Sequence, residues 1–231
     1  MPSKNAILQN FRLYAVTDGR GSGEDLPEKI EQAYRGGADI VQLRAKKMAD
    51  KDLLLLGQKI RIIADRHHKL FFVNDRVDIA LAVRADGVHL GQEDLPVAIA
   101  RELASKAGHP LLIGKSIHSI EQALQAQSEG ADYIGVGPVF PTPTKPGRNP
   151  VGLTLVRQVA DTVQIPFVAI GGIDAQNIQQ VLEAGAERVA CVRAIFDQKD
   201  ITRAAKNLRD KFLPLLTSPE EHGGGIKGKM R

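Results

Sequence analysis

The chain has no tryptophan, a single cysteine (Cys191) and only 4% aromatic residues among its 231 positions. One thiol excludes an internal disulfide framework, and the apolar neighbours of Cys191 mark it as buried rather than reactive. No apolar run approaches the roughly 20 residues of a membrane span, and the N-terminus lacks the apolar core of a secretion signal. The expectation is a cytoplasmic protein. Its formal charge of +4 is mildly basic. Without a dense Lys/Arg run or interleaved aromatics, nothing builds a nucleic-acid surface. A phosphate-binding Gly-x-x-x-x-Gly-Lys-Ser/Thr loop is missing, as are a Ser-His-Asp spacing and a Cys/His metal constellation.

What is present is ordinary for a globular enzyme: 43% hydrophobic and 25% charged residues. Short apolar β-rich runs alternate with longer helical patterns throughout. The predicted strands are Phe11–Thr17, Asp39–Arg44, Leu70–Asn74, Gly87–Leu90, Leu111–Gly114, Tyr133–Gly137, Pro166–Ile170 and Arg188–Val192. Between and after them lie predicted helices Glu24–Arg35, Asp50–His67, Asp75–Val83, Pro96–Ala107, Ser119–Glu129, Leu153–Asp161, Ala175–Ala184 and Lys199–Leu215. Near-continuous apolar strands separated by helices imply a parallel sheet covered on its faces. Eight such units close into an α/β (β/α)₈ TIM barrel, here residues 1–216 as one domain. The last segment, 217–231, carries Pro219, a run of three glycines and scattered lysines, and reads as a disordered tail.

A weak repeat supports the count. Arg35-Gly36-Gly37-Ala38-Asp39, Glu129-Gly130-Ala131-Asp132 and Ala184-Gly185-Ala186-Glu187 each end a helix on glycine and enter a strand, with Arg84-Ala85-Asp86-Gly87 a looser copy. The glycine caps the helix in a left-handed conformation, and the acid marks the strand's N-terminal rim.

In this fold chemistry gathers where strands hand over to helices. After the sixth strand comes Gly135 to Gly147, stiffened by Pro138, Pro141, Pro143 and Pro146 and carrying Thr142, Thr144 and Lys145. Two hydroxyls and an ammonium beside glycines suit a phosphate. Gly171-Gly172 after the seventh strand and Val192-Arg193 after the eighth form the usual phosphate cup of the fold, although a double glycine alone is equally a tight turn. Asp75 and Asp94 follow neighbouring strands and would hold Mg²⁺ with phosphates completing the shell. Each also reads as a plain helix N-cap, Asp94 before Leu-Pro above all, while Asp78 and Glu93 read as solvated. Arg44, Lys46 and Lys145 gather three cations at the same mouth, which calls for a strongly anionic ligand such as a diphosphate.

At these residues the sequence resembles the thiamine-phosphate synthase family. The resemblance runs through Leu13–Asp18, Gln42–Lys46, Asn74-Asp75, Gly91–Asp94, Ser116–His118, Gly137–Lys145 and Ala169–Ile173. It implies a transferase joining 4-amino-2-methyl-5-pyrimidinylmethyl diphosphate to a thiazole phosphate, or its carboxylated form with loss of CO₂, giving thiamine phosphate and pyrophosphate. By the same resemblance Gln42, Leu43, Arg44, Ala45, Lys46, Asn74, Ser116 and Lys145 would meet the pyrimidine diphosphate. Arg44, Lys46, Lys145 and Ser116 would be catalytic. Asp75 and Asp94 would carry Mg²⁺, and Thr142, Pro143, Thr144, Gly171, Gly172, Val192 and Arg193 would take the thiazole phosphate. The diphosphate leaves first and the thiazole nitrogen captures the pyrimidinylmethyl cation.

The chain departs from the family at Arg193, where relatives carry a small serine, and at Lys115, commonly apolar there and read here as pointing to solvent. Two rivals keep the fold. A thiazole tautomerase would use His118 for proton transfer, but leaves Asp75, Asp94 and Lys145 without work. A non-catalytic anion- or RNA-binding barrel rests on the basic charge alone. The expected partners are small phosphorylated molecules, with a homo-oligomer left open.

Overall fold

The computed structural model describes residues 3–19, 25–143, 147 and 149–213. Thr144, Lys145 and the expected tail therefore lie outside the described residues. Eight parallel strands close in sequence order into one barrel, first against last. They are β1 (Leu13–Val16), β2 (Ile40–Leu43), β3 (Leu70–Asn74), β4 (Gly87–Leu90), β5 (Leu112–Ile117), β6 (Tyr133–Val136), β7 (Phe167–Ile170) and β8 (Val189–Cys191). The helices are α1 (Lys4–Asn10), α2 (Leu26–Arg35), α3 (Asp50–His67), α4 (Val77–Ala82), α5 (Val97–Lys106), α6 (Ile120–Ser128), α7 (Gly152–Thr162), α8 (Ile178–Glu183), α9 (Arg193–Phe196) and α10 (Ile201–Arg209). A 3₁₀ turn, Asp210–Phe212, closes the described chain.

Strand alternation sorts the core into two shells. Leu13, Ala15, Val41, Leu43, Phe71 and Val73 face outward to the helices, while Tyr14, Val16, Ile40, Leu70, Phe72 and Tyr133 fill the barrel. The floor is closed by α1, which the sequence pattern did not reveal. Ser3 caps it by accepting from the Ala6 N–H at 3.1 Å, and Leu8 with the following Phe11 plugs the interior.

The repeated Gly-Ala-acid segments have a common geometry. Gly37, Gly130 and Gly185 sit at φ +102, +80 and +95, and Arg84 takes the same place in the looser copy at φ +53. In each case the following alanine N–H reaches back to a carbonyl five residues earlier, as in Ala38 to Ala33 at 3.1 Å. Three of the acids then cap neighbouring strands: Asp39 accepts from the Arg12 N–H at 2.9 Å, Asp86 from Phe71 at 2.9 Å and Asp132 from Ile113 at 2.6 Å. A cation neutralises each: Lys69 and Arg209 at Asp39, Arg61 at Asp86 and Arg101 at Asp132. This rim is therefore spoken for, and chemistry is left to the other.

The strand ends of β5 depart from the sequence expectation. The strand runs to Ile117 rather than ending at Gly114, because Lys115, Ser116 and Ile117 continue the ladder to β6. Lys115 corrects a second expectation. It does not point to solvent: it is 7% exposed, its stem lies among outer-shell residues, and its ammonium donates to the Gly91 carbonyl at 2.7 Å.

Candidate active site

The period of two that buries Ile40 and Leu70 also turns Gln42, Asn74, His89 and Ser116 into the barrel, near its C-terminal end. There they line a cavity of about 840 Å³ together with Arg44, Lys46, Asp75, Asp94, His118, Thr142, Gly171, Gly172, Val192 and Arg193. Three expected contacts do not line it. Leu43 is turned by strand alternation into the outer shell, Ala45 just past the strand is buried in the same cluster, and Pro143 is exposed.

Arg44 is fixed through its backbone. The Thr17 hydroxyl accepts from the Arg44 N–H at 2.8 Å and donates to the Arg44 carbonyl at 3.1 Å. Lys46 places its ammonium 2.8 Å from the Asp75 carboxylate. Asp75 holds φ +62, uncommon for a residue with a side chain, and its N–H donates to the His89 carbonyl at 2.9 Å. Holding that conformation turns the carboxylate toward Asp94, with which it shares a hydrogen bond. Burial works against the ionised form of Asp75, but the hydrogen bonds of Lys46 and Asp94 outweigh it, and its pKa falls below the usual carboxylate range. Asp94 moves the opposite way: burial first, then the neighbouring Asp75, push its pKa up.

Asp94 is not the N-cap of α5. That position falls to Pro96, and Asp94 instead accepts from the Gly91 N–H at 2.5 Å. A Cβ on Gly91 would stand 2.8 Å from the Asp94 carboxylate, which would have to shift to admit it. Lys115, donating to the Gly91 carbonyl, holds this turn from beneath. Two adjacent carboxylates could hold a cation that keeps most of its waters and takes phosphate oxygens, as Mg²⁺ does.

Across the cavity the sixth and seventh strands' loops interlock. Val139 N–H donates to Ile170 and Phe140 N–H to Gly171, both at 2.9 Å. Gly171 and Gly172 lie at φ +104 and +68, and added Cβ atoms would meet Pro138 at 2.5 Å and the Pro141 carbonyl at 2.7 Å. The double glycine is thus demanded twice, by conformation and by close approach. Asn177 donates to the Gly172 carbonyl at 2.8 Å and steadies this wall. Arg193 opens the short α9, exposed at the cavity's edge.

His118 uses Nδ1 to donate to the Gly137 carbonyl at 2.5 Å, and its N–H donates to Gln122. That is the backbone-bonding role of a residue at a helix start. Cys191 is buried, as expected, and burial pushes its thiol up to about 12. Tyr14 and His89 also line the cavity, and residue type alone gave them no role in the sequence.

Fold and site together define an anion-handling (β/α)₈ enzyme with two differently built ends to one cavity. A family model described as thiamine monophosphate synthase matches residues 13–195. The chain is 43% identical over 201 residues to the thiamine-phosphate synthase of Pyrococcus abyssi, covering 87% of this chain and 94% of that one. It is 51% identical over 193 residues to that of Gloeobacter violaceus, covering 84% of this chain but 55% of the longer relative. Among solved structures, thiamine phosphate pyrophosphorylase from Pyrococcus furiosus superimposes with a TM-score of 0.81 at 38% identity, over 93% of this chain and all of that one. A 3-hexulose-6-phosphate synthase, at 22% identity and a TM-score of 0.67, shares the fold. The chain belongs to the thiamine-phosphate synthase family, a family of transferases of thiamine biosynthesis.

Proposed function

We propose that this cavity condenses 4-amino-2-methyl-5-pyrimidinylmethyl diphosphate with 4-methyl-5-(2-phosphoethyl)thiazole, yielding thiamine phosphate and pyrophosphate, in the cytoplasm. The observation that supports the reading is a single cavity lined by Arg44, by Lys46 paired with Asp75, and by Asp94, and also by Thr142 and the double glycine of the sixth and seventh strands' loops. The first group suits a diphosphate and the second a monophosphate. A volume of about 840 Å³ falls within the range of small-molecule sites and accommodates two heterocycles.

In this reading Gln42, Asn74 and Ser116 orient the pyrimidine diphosphate. Arg44, Lys46 and Lys145 would neutralise its leaving oxygens, while Thr142, Thr144, Gly171, Gly172, Val192 and Arg193 would take the thiazole phosphate. Asp75 and Asp94 would hold Mg²⁺, which supplies charge neutralisation to the diphosphate when bound. The methylene C–O bond breaks with its electron pair going to the diphosphate oxygen, and the fixed cations stabilise that charge. The lone pair of the thiazole nitrogen then forms the C–N bond to the pyrimidinylmethyl cation. That nitrogen carries no proton to lose, so the step needs no general base.

The test mixes both phosphorylated heterocycles with the enzyme, with and without Mg²⁺, and follows pyrophosphate and thiamine phosphate. Equimolar formation of both, dependent on the metal, is expected. Pyrophosphate without thiamine phosphate, or neither product, would overturn the reading.

A further inference from the structure

The polar residues inside the barrel are joined in a single line. Gln42 Nε2 donates to the Tyr14 hydroxyl at 2.7 Å, and the hydroxyls of Tyr14 and Tyr133 stand 3.0 Å apart. The Tyr133 hydroxyl is 2.9 Å from His89 Nδ1, and His89 Nε2 is 2.9 Å from Ser116 Oγ. Both tyrosines are buried, and the line runs along the cavity floor, where Gln42, Tyr14, His89 and Ser116 reach the lining while Tyr133 lies behind it. The strands make room for it. A Cβ on Gly114 would stand 2.2 Å from the Tyr133 ring, and one on Gly135 would stand 3.0 Å from the His89 ring. Two inward positions of neighbouring strands thus carry no side chain where the line passes.

Each phenol has one proton, so fixing one end of the line fixes the direction of the rest. With a Gln42 N–H on the Tyr14 oxygen, Tyr14 donates to Tyr133, and Tyr133 donates to the lone pair of His89 Nδ1. The imidazole then carries its proton on Nε2 and donates it to Ser116 Oγ. The Ser116 proton is left for an acceptor in the cavity, which Ser116 lines.

We propose that Tyr14, Tyr133 and His89 are positioning residues: a buried relay that presents Ser116 as a hydrogen-bond donor and holds Gln42 in register with it. This rests on the reading that Gln42 and Ser116 meet the pyrimidine diphosphate. The acceptor would be a ring nitrogen or phosphate oxygen of that substrate.

Tyr133→Phe and Tyr14→Phe each delete one hydroxyl, and His89→Gln keeps an N–H donor near the place of Nε2 while His89→Ala keeps none. Tyr133→Phe is expected to lower kcat by about tenfold or more with the KM for the thiazole phosphate unchanged. The double variant Ser116→Ala with Tyr133→Phe should be no slower than Ser116→Ala, because both cut the same line. His89→Gln should recover part of what His89→Ala loses. Nitrogen-15 spectra of the ligand-free enzyme should show His89 protonated at Nε2, with that single tautomer lost in Tyr133→Phe. Circular dichroism reports whether Tyr133→Phe folds; if it does not, Tyr14→Phe and the wild-type spectrum carry the same test. A proton on Nδ1, or losses that multiply in the double variant, would overturn the relay alone. Ser116→Ala turning over at the wild-type rate would instead remove Ser116 from the substrate, and with it the relay's part in the reaction.

Discussion

Replacing Lys46 by methionine separates a damaged fold from a rebalanced site, because it drives two observables in opposite directions. The ammonium lies 2.8 Å from the Asp75 carboxylate, with Lys46 54% and Asp75 21% exposed. An ion pair this open contributes only about 0.5–1 kcal/mol to stability, so Tm should fall by no more than about 2–4 °C. Methionine keeps most of the side chain's volume.

The proposed Mg²⁺ site should respond otherwise. Lys46 competes with a cation for Asp75, and two unit charges about 4 Å apart are worth about 1 kcal/mol in a watery environment. Removing it should tighten Mg²⁺ binding to the ligand-free enzyme by roughly fivefold. Turnover should fall by about 10²–10³, the usual loss when a preorganised donor to developing charge is removed. Calorimetric titration of Mg²⁺ at pH 8, above the ordinary carboxylate range, gives the first quantity, and pyrophosphate release gives the second. Weaker metal binding, or an unchanged rate, would refute the assignment of Lys46 between the carboxylates and the leaving group.

Gly171→Ala forces a Cβ to within 2.5 Å of Pro138 at φ +104, whereas Gly130→Ala at φ +80 meets nothing within 4 Å. The first should lose about 2–4 kcal/mol and the second about 1 kcal/mol, readable by urea unfolding. At Asp39 burial opposes ionisation, but Lys69, the Arg12 N–H and Arg209 outweigh it and lower the pKa below 3.8. Its carboxylate therefore stabilises the fold above the unfolded pKa, and that contribution drains away as pH falls through the folded value. Asp39→Asn should cost about 3 kcal/mol near neutrality and flatten the acid limb of a Tm-against-pH curve. Cys191, with its thiol pushed up to about 12 and 2% exposed, should resist iodoacetamide at pH 8 until the protein is unfolded. Lys145→Ala should lose far more rate than substrate binding, and unchanged turnover would remove it from the leaving-group site.

The barrel was legible because its strands are short, apolar and bounded by repeated cap-and-acid segments, all of them local signals. Asp50–His67 and Leu70–Asn74 also fall on the expected residues, the one a long helical pattern and the other an unbroken apolar run. Helix α1 has seven residues, and its identity depends on a floor that exists only after closure. Lys115 differs from the expectation because a lysine just past the expected end of a strand looks like a solvent residue. Its burial depends on the Gly91 carbonyl, which comes from another strand's exit. The candidate site was legible as a list of polar residues at strand ends. Which of them share a wall depends on register: the alternation that brings Gln42 inward takes Leu43 out. Tyr14 and Tyr133 look like core residues in the sequence, and only the glycines facing Tyr133 and His89 distinguish the buried line from ordinary packing.

The two rims divide stability from chemistry in physical terms. At the N-terminal rim, Asp39, Asp86 and Asp132 each have both a backbone donor and a cation, so their charges are balanced before any ligand arrives. At the C-terminal rim, Asp75 and Asp94 face each other across a hydrogen bond, with their pKa values pushed apart, and Lys46 offsets only one negative charge. Two carboxyl groups held that close ionise together only at a cost to the free protein, and a cation sharing the site would lift that cost. The backbone strain follows the same division. Among the described residues, the non-glycine positions at positive φ are Asp75 at the C-terminal rim and His68 and Arg84, which merely end helices. A purely structural barrel gives no reason to hold that aspartate so; the proposed site, in which two carboxylates would meet one ion, does.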